Sequence, residues 1–403
     1  MDWTAAAVAD VRKRVLRFVE DEVYPLEARF DEALREQRQM LMRALNDRAK
    51  AQGLWALGHP RELGGQGMPF LDYACVNEVI GRSYWAMQGL GTLSLQDSLM
   101  LHRHAPPEWR ERLLPGLVAG TILPSFAMTE PDVASSDPTQ LQTRARLDGD
   151  HWVIQGRKWF TTGAADAAYT AVMCRSEDEA PAHSAFSLII VPTAAPGYRI
   201  VRETPVLGIA GGHYEIELNQ VRVPAGNLLG RRGDAFRIAQ QRLGPGRIFH
   251  CMRWLGQAQR AYDLMGRRLN RRSAFGGKLA EKQLMQAFMF ESAAEIQACR
   301  LLTMEAARKL DRGLEAREDI AIIKVVGARM LHQVIDRAIQ VHGACGLTPD
   351  TPLDRMYRHA REARIYDGPD EVHIQSTGRR LLKLYRDGGP GLDFGDFGAP
   401  ADD

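Results

Sequence analysis

The sequence predicts an α+β protein in which a helical first third and a helical last third enclose a strand-rich middle. Two changes of hydrophobic period carry that prediction. Apolar residues recur at three- and four-residue steps through VRKRVLRFVEDEV and YACVNEVIGRSYWAM, ahead of residue 120. The period then shortens toward two in HWVIQGRKWFTTG, FSLIIVP and YEIELNQVRVP, and helical spacing returns after residue 234. Length is the third observation: 403 residues leave room for two or three domains and a sizeable core.

Residues 1–122 read as an all-α domain. Its opening, MDWTAAAVADVRKRVLRFVEDEVYP, carries acids at positions 2, 10, 20, 21 and 22 and never runs apolar long enough for a secretory signal or a membrane span. We read it as an amphipathic helix of a cytoplasmic protein. Residues 123–233 read as a β domain whose strands are bounded by Gly, Pro, Asn or Asp. Residues 234–388 hold four helical segments, FRIAQQRL, RIFHCMRWLGQAQRAYDLMGRRL, KLAEKQLMQAFMFESAAEIQACRLLTMEAARKL and DIAIIKVVGARMLHQVIDRAIQVHG, whose short connections predict an antiparallel bundle. The end of the chain, RDGGPGLDFGDFGAPADD, is rich in Gly, Asp and Pro, and residues 389–403 are expected to form a flexible tail outside any core.

Several function classes are excluded by what is missing. Lys and Arg (52) nearly balance Asp and Glu (50), so no basic footprint for nucleic acid or a membrane surface stands out. The five cysteines, at 75, 174, 251, 299 and 345, form no C-x-x-C pair, which fits unpaired thiols in a reducing compartment. Neither GGQGMPF nor LGPGRIF completes a G-x-G-x-x-G after a strand, and there is no G-x-x-x-x-G-K-[ST], so a nucleotide cofactor would need another kind of site. Without H-E-x-x-H, paired His ligands or G-x-S-x-G, metal hydrolases and serine hydrolases are disfavoured, and no metal is expected.

Six segments in order make the chain specific: FAMTEPDVASSD (126–137), GRKWFTTG (156–163), NQVRVPAGNLLG, RSAFGGKL (272–279), QVHGACGL (340–347) and YDGPDEVH near the end. Together they resemble the acyl-CoA dehydrogenase family from about residue 5 to 385, and most closely a subgroup that carries TEPDVASSD and DGPDEVH. The resemblance implies that the middle domain is β-barrel-like, that the last domain is a four-helix bundle, and that the protein is a flavoprotein binding FAD. It implies that Phe126, Met128, Thr129 and Ser135 hold the flavin edge, Ser135 also meeting the thioester. Phe160 stands where the family usually has Trp over the flavin face, with Thr161 and Thr162 beside it. Arg272 and Phe275 match a motif that reaches a neighbouring subunit's FAD, where a guanidinium suits the pyrophosphate. Gln340, Gly343, Ala344 and Gly346 match the loop that receives the adenine half, and Pro369 and Glu371 join the cofactor set. A homodimer or homotetramer follows from the shared site. Gly343 could equally close a helix.

Asp367 occupies the position of the family's usual Glu base in Y-E-G-T. An Asp before Gly is ordinarily a turn residue, because its carboxylate bonds nearby backbone N–H groups. Removing a weakly acidic α-proton requires a placed carboxylate together with donors on the developing enolate oxygen. The resemblance gives Asp367 that role, with its own N–H and a ribityl hydroxyl of FAD as donors, and gives Arg247 and Gly368 contacts to the substrate. Relatives with the base on the first bundle helix would place it at Gly246, which offers no carboxylate. The implied reaction yields a trans-2-enoyl-CoA, with hydride transfer to flavin N5 and electrons passing to an electron-transfer flavoprotein, as in β-oxidation. A nitroalkane-oxidase-like flavoprotein is the alternative with the same Asp. A DNA-associated family member is a third reading, which the acidic tail and the net charge of +2 oppose.

Overall fold

Thr4 starts the first helix: its hydroxyl accepts from the Ala7 N–H at 3.2 Å, and Val8, Val11, Val15 and Phe18 form one buried stripe along the turns that follow. In this computed structural model, which describes residues 3–210 and 212–386, helices α1 (Ala5–Phe18), α2 (Glu27–Glu32), α3 (Arg35–Ala51), α4 (Phe70–Ile80), α5 (Ala86–Gly89), α6 (Leu95–His104) and α7 (Pro107–Ala119) make up the first part of the chain. The expected tail at 389–403 lies outside the described residues.

Strands β1 (Pro124–Ala127), β2 (Arg144–Asp148), β3 (His151–Thr162), β4 (Tyr169–Arg175), β5 (Phe186–Pro192), β6 (Tyr198–Glu203), β7 (His213–Pro224) and β8 (Leu228–Leu229) form one sheet in the order β6-β7-β3-β2-β4-β5-β8, with β1 added parallel to β4. Its two halves meet at β2 and β4 through the single pairing Arg144–Arg175. Trp152, Ile154, Ile216, Leu218 and Val221 of one half share a core with Val172, Cys174, Ile189 and Val191 of the other, so the sheet folds over itself in a barrel-like manner while β6 and β8 remain unpaired with each other. The opposite face of β4 and β5 is also covered, by α6, α7 and the start of the next helix. That double burial explains why FSLIIVP reads as an unbroken apolar run.

The last part contains α8 (Ala235–Arg271), the small hairpin β9 (Ser273–Ala274) and β10 (Gly277–Lys278), α9 (Gln283–Asp311), α10 (Arg317–His342), α11 (Leu353–Glu362) and α12 (Asp370–Arg386). Here the structure departs from the sequence reading: FRIAQQRL and RIFHCMRWLGQAQRAYDLMGRRL are one 37-residue helix that runs through Pro245. Ala235 and Ile238 are anchored in the core beside the sheet, and Ile248, Phe249 and Met252 in the core of the bundle, so packing on both sides outweighs the hydrogen bond that proline removes. The fourth long helix of the bundle is therefore α12, from the segment after YDGP.

Both helical parts share one core, in which Val15 of α1, Leu45 of α3 and Ala74 of α4 join residues of α8 to α11. Helices α4 and α8 touch at backbone distance. A Cβ on Gly256 would collide with the Glu78 carbonyl, and one on Gly81 with the backbone of Arg253. None of the described helices is long and apolar enough to cross a membrane.

Candidate active site

Between α11 and α12 the chain turns sharply, with φ of 56° at Asp367 and 98° at Gly368. Left-handed backbone is open to Asp at modest cost and free for Gly, so the Asp-Gly pair is suited to the turn it makes. Donors from three helices tie that turn down. Arg247 Nε of α8 donates to the Asp367 carbonyl at 3.1 Å, and His373 Nε2 of α12 lies 3.1 Å from the same oxygen. A carbonyl only accepts, so His373 carries its proton on Nε2. Burial, with Arg247 adding to it, pulls the His373 pKa down to about 4 and keeps the ring neutral. From α10 the fully buried Lys324 ammonium donates to the carbonyls of Ala363 at 2.7 Å and Gly368 at 3.2 Å. Trp254 Nε1 holds the Tyr366 hydroxyl at 2.8 Å. Turn and site are therefore one construction: the backbone of Asp367 is immobilised by its carbonyl while its carboxylate stays partly accessible.

Oδ2 of that carboxylate lies 3.4 Å from His250 Nε2 on α8. Burial and the nearby Arg253 push the His250 pKa down to about 3. Arg242, also on α8, binds both oxygens of the buried Asp97 at 3.2 and 3.0 Å and lies over the Phe126 ring at 4.7 Å, which brings the start of the FAMTEP segment toward the same region. Pro369 immediately precedes α12 and Glu371 lies in its first turn, on the exposed side.

The FAMTEP segment is shaped by a buried carboxylate. Glu130 accepts from the N–H groups of Gln142 at 2.6 Å and Thr143 at 2.9 Å and from Lys158 Nζ at 2.8 Å. Burial alone would raise its pKa, but Lys158 and the backbone donors outweigh it and hold it below the ordinary carboxylate range. Lys158 also donates to the Met128 carbonyl at 2.9 Å, and the Trp159 N–H donates to that of Thr129 at 3.0 Å. Ser135 Oγ accepts from the Glu130 N–H at 2.9 Å, so in this structure its hydroxyl braces the turn.

The end of β3 presents an exposed aromatic ring. Phe160 sits at φ 50° with 43 % of its surface exposed, an uncommon state for a ring on a strand. On either side of it, the buried Trp159 Nε1 and Thr161 Oγ1 have no partner, and Thr162 Oγ1 is 2.9 Å from His213 Nδ1. The exposed Phe160 ring offers a flat apolar face of the kind a planar heterocycle such as a flavin stacks on, while the two unpartnered atoms are buried behind it.

Arg272, Phe275, Gln340, Gly343, Ala344 and Gly346 gather at the other end of the bundle. Arg268 Nη2 approaches the His342 carbonyl at 3.5 Å, which fastens the end of α8 to the end of α10. Arg272 and Gln340 are exposed, and Phe275, at φ 51° in the β9–β10 hairpin, is 98 % exposed. Gly343 terminates α10 at φ 63°, with no atom within 4 Å of where a Cβ would stand. Gly346 is buried against the Ile339 backbone and the exposed Ala344 lies between them. From Arg247 to Arg272 the helix advances roughly 37 Å, so one chain does not bring these residues to the Asp367 turn.

Sequence reasoning overlooked His250, Lys324, His373 and the Arg242–Asp97 pair. The available signal was spacing: Arg247, His250 and Trp254 fall at i, i+3 and i+7, on one face of α8. Among the described residues no group of His, Cys, Asp or Glu could hold a metal ion.

Three family models match in chain order: the N-terminal domain of acyl-CoA dehydrogenase over residues 7–121, its middle domain over 125–221 and its C-terminal domain over 233–382. The chain is 43 % identical to the Mycobacterium tuberculosis probable acyl-CoA dehydrogenase FadE2, covering 95 % of this chain and 97 % of that protein. It is 36 % identical to the Rattus norvegicus acyl-CoA dehydrogenase family member 11 over 93 % of this chain, and it spans only 50 % of that longer protein. A solved Mycobacterium abscessus structure classed with the acyl-CoA dehydrogenases superposes with a TM-score of 0.90 at 35 % identity, covering 96 % of this chain and all of that one.

Proposed function

The chain belongs to the acyl-CoA dehydrogenase family, and on that premise we propose that it dehydrogenates an acyl-CoA thioester between Cα and Cβ to a trans-2-enoyl-CoA, with Asp367 as the base for the α-proton. The observation that carries this reading is the division of labour at Asp367, whose carbonyl is tied by Arg247 and His373 while its carboxylate faces His250 with part of its surface open. Gly246, one residue before Arg247, leaves the first bundle helix without a competing carboxylate there.

FAD is the cofactor of this reading, and when bound it supplies the acceptor for the β-hydride. Phe126, Met128, Thr129, Ser135, Phe160, Thr161 and Thr162 are the residues of this chain that would hold its flavin end, with Pro369 and Glu371 near the turn. Arg272, Phe275, Gln340, Gly343, Ala344 and Gly346 would hold the pyrophosphate and adenine end of a neighbouring subunit's cofactor, in a homodimer or homotetramer. Arg247, Gly368 and Ser135 would contact the substrate. An electron-transfer flavoprotein would reoxidise the enzyme in a cytoplasmic setting.

The test is anaerobic mixing of the purified yellow protein with a panel of acyl-CoAs, following loss of the flavin absorbance, with nitroalkanes as a second panel. Bleaching by at least one acyl-CoA supports the proposal. Bleaching by nitroalkanes alone, or by neither panel in a flavin-loaded protein, overturns it.

A further inference from the structure

The Asp367 carboxylate is one methylene closer to the backbone than the Glu usual at this position, and its chain of contacts continues into the helices behind it. Arg253 Nη2 lies 3.0 Å from His250 Nδ1. A guanidinium has only donors, so His250 Nδ1 is the acceptor and the neutral ring carries its hydrogen on Nε2, the nitrogen that faces Asp367 Oδ2 at 3.4 Å. Arg253 is in turn fixed from α4: its Nη1 reaches Asn77 Oδ1 at 3.3 Å, and Asn77 Nδ2 donates to the Tyr73 carbonyl at 2.9 Å. Asn77 is fully buried and Arg253 nearly so, at the crossing of α4 and α8 that Gly81 and Gly256 make possible. The hydrogen on the His250 nitrogen nearest the base is thus specified by a relay of buried, single-orientation groups.

We propose that His250 is a positioning residue for Asp367: locked by Arg253 as its Nε2–H tautomer, it holds Oδ2 of the carboxylate and leaves Oδ1 to take the proton. The inference rests on the reading of Asp367 as the base. With the backbone of Asp367 already pinned at its carbonyl, rotation about its two side-chain torsions is the remaining freedom, and one N–H to Oδ2 removes it. The depressed His250 pKa agrees with a ring that stays neutral throughout. The charged groups facing the ring are Arg253 and Arg242 from α8, Lys324 from α10 and Asp367 from the turn, with the Tyr366 ring 5.1 Å away between centroids, and three of the four charged groups are cations that disfavour an imidazolium.

The decisive comparison uses two replacements of similar bulk in the FAD-loaded enzyme, His250→Gln, which can still present an N–H, and His250→Met, which cannot. His250→Met should slow flavin reduction by a responsive acyl-CoA about tenfold with the acyl-CoA dissociation constant unchanged, and His250→Gln should recover most of that loss. Combined with Asp367→Asn, His250→Met should cost nothing further, since its effect passes through the carboxylate. Wild-type reduction by His250→Met, equal losses in the Met and Gln variants, a loss that appears only as weaker binding, or a full additive loss in the double variant would each overturn the inference. Failure of the underlying reading would look different: Asp367→Asn alone would then reduce flavin at the wild-type rate.

Discussion

Replacing Asp367 by Asn separates its place in the turn from the base role proposed for it, because Asn tolerates the left-handed φ of 56° as well as Asp does but cannot accept a proton. Asp367→Asn should keep FAD and acyl-CoA binding yet lose flavin reduction by about a hundredfold or more in stopped flow. Asp367→Glu should be partly active, since it moves the carboxylate forward from its place opposite His250. A near-silent Asn variant would reduce Asp367 to a turn residue. The turn was legible in YDGP, but its fastening was not: nothing in the sequence near Asp367 announces Lys324, 43 positions earlier, or His250 on another helix. Three imidazoles, two of them buried and that of His250 half-buried, also set an acid limit. His59 and His373 have pKa values near 4 and His250 near 3, against 6.5 for a free imidazole, chiefly through burial. The unfolded chain therefore binds protons first as pH falls, and the stability these neutral rings contribute above about pH 6.5 is lost on the way down toward pH 4. Urea midpoints should drop steadily between pH 7 and pH 4.5, and a flat or rising series would refute the argument.

At the level of elements, the site depends on how α10 grips a loop that is not its own. Lys324 contributes donors to two carbonyls flanking Asp367, those of Ala363 and Gly368, and its ammonium also lies over the rings of Trp254 at 5.4 Å and Tyr366 at 5.6 Å. Lys324→Met should fill similar space but leave the carbonyls without their donor, at a cost of about 1 to 3 kcal/mol each. The expected result is a lower melting temperature together with slower flavin reduction, both read on FAD-loaded protein, whereas unchanged melting and rate would show that the grip is dispensable. Periodicity identified α1, α4, α9, α10 and the strands β3, β5 and β7, but it broke α8 at LGPG, because local propensity at Pro245 points one way and two separate cores point the other. The relay through Asn77 and Arg253 was equally hidden, since it exists only where α4 and α8 cross.

Across the whole molecule, the residues matched to cofactor binding divide into two groups, one at the Asp367 turn and the sheet and one where α8 and α10 end, and large apolar side chains stand bare from the second group along α9. Phe275, Leu284, Phe290 and Leu301 are 98 %, 74 %, 76 % and 62 % exposed in the single chain. Large apolar groups left open in this way fit a subunit contact. If Arg272 meets the pyrophosphate of a neighbour's FAD, Arg272→Ala should release FAD during gel filtration without unfolding the protein, and a flavin-loaded monomer in light scattering would contradict the arrangement. Helix α8 then acquires the character of a ruler. It carries Arg247 a third of the way along and Arg272 just past its C-terminal end, so the number of residues between them sets both the reach and the azimuth of the guanidinium relative to Asp367. One inserted residue would swing Arg272 by about 100° around the axis and advance it by about 1.5 Å. A seven-residue insertion would nearly restore the direction but lengthen the rod by about 10 Å, so neither would leave the two ends of the site in step.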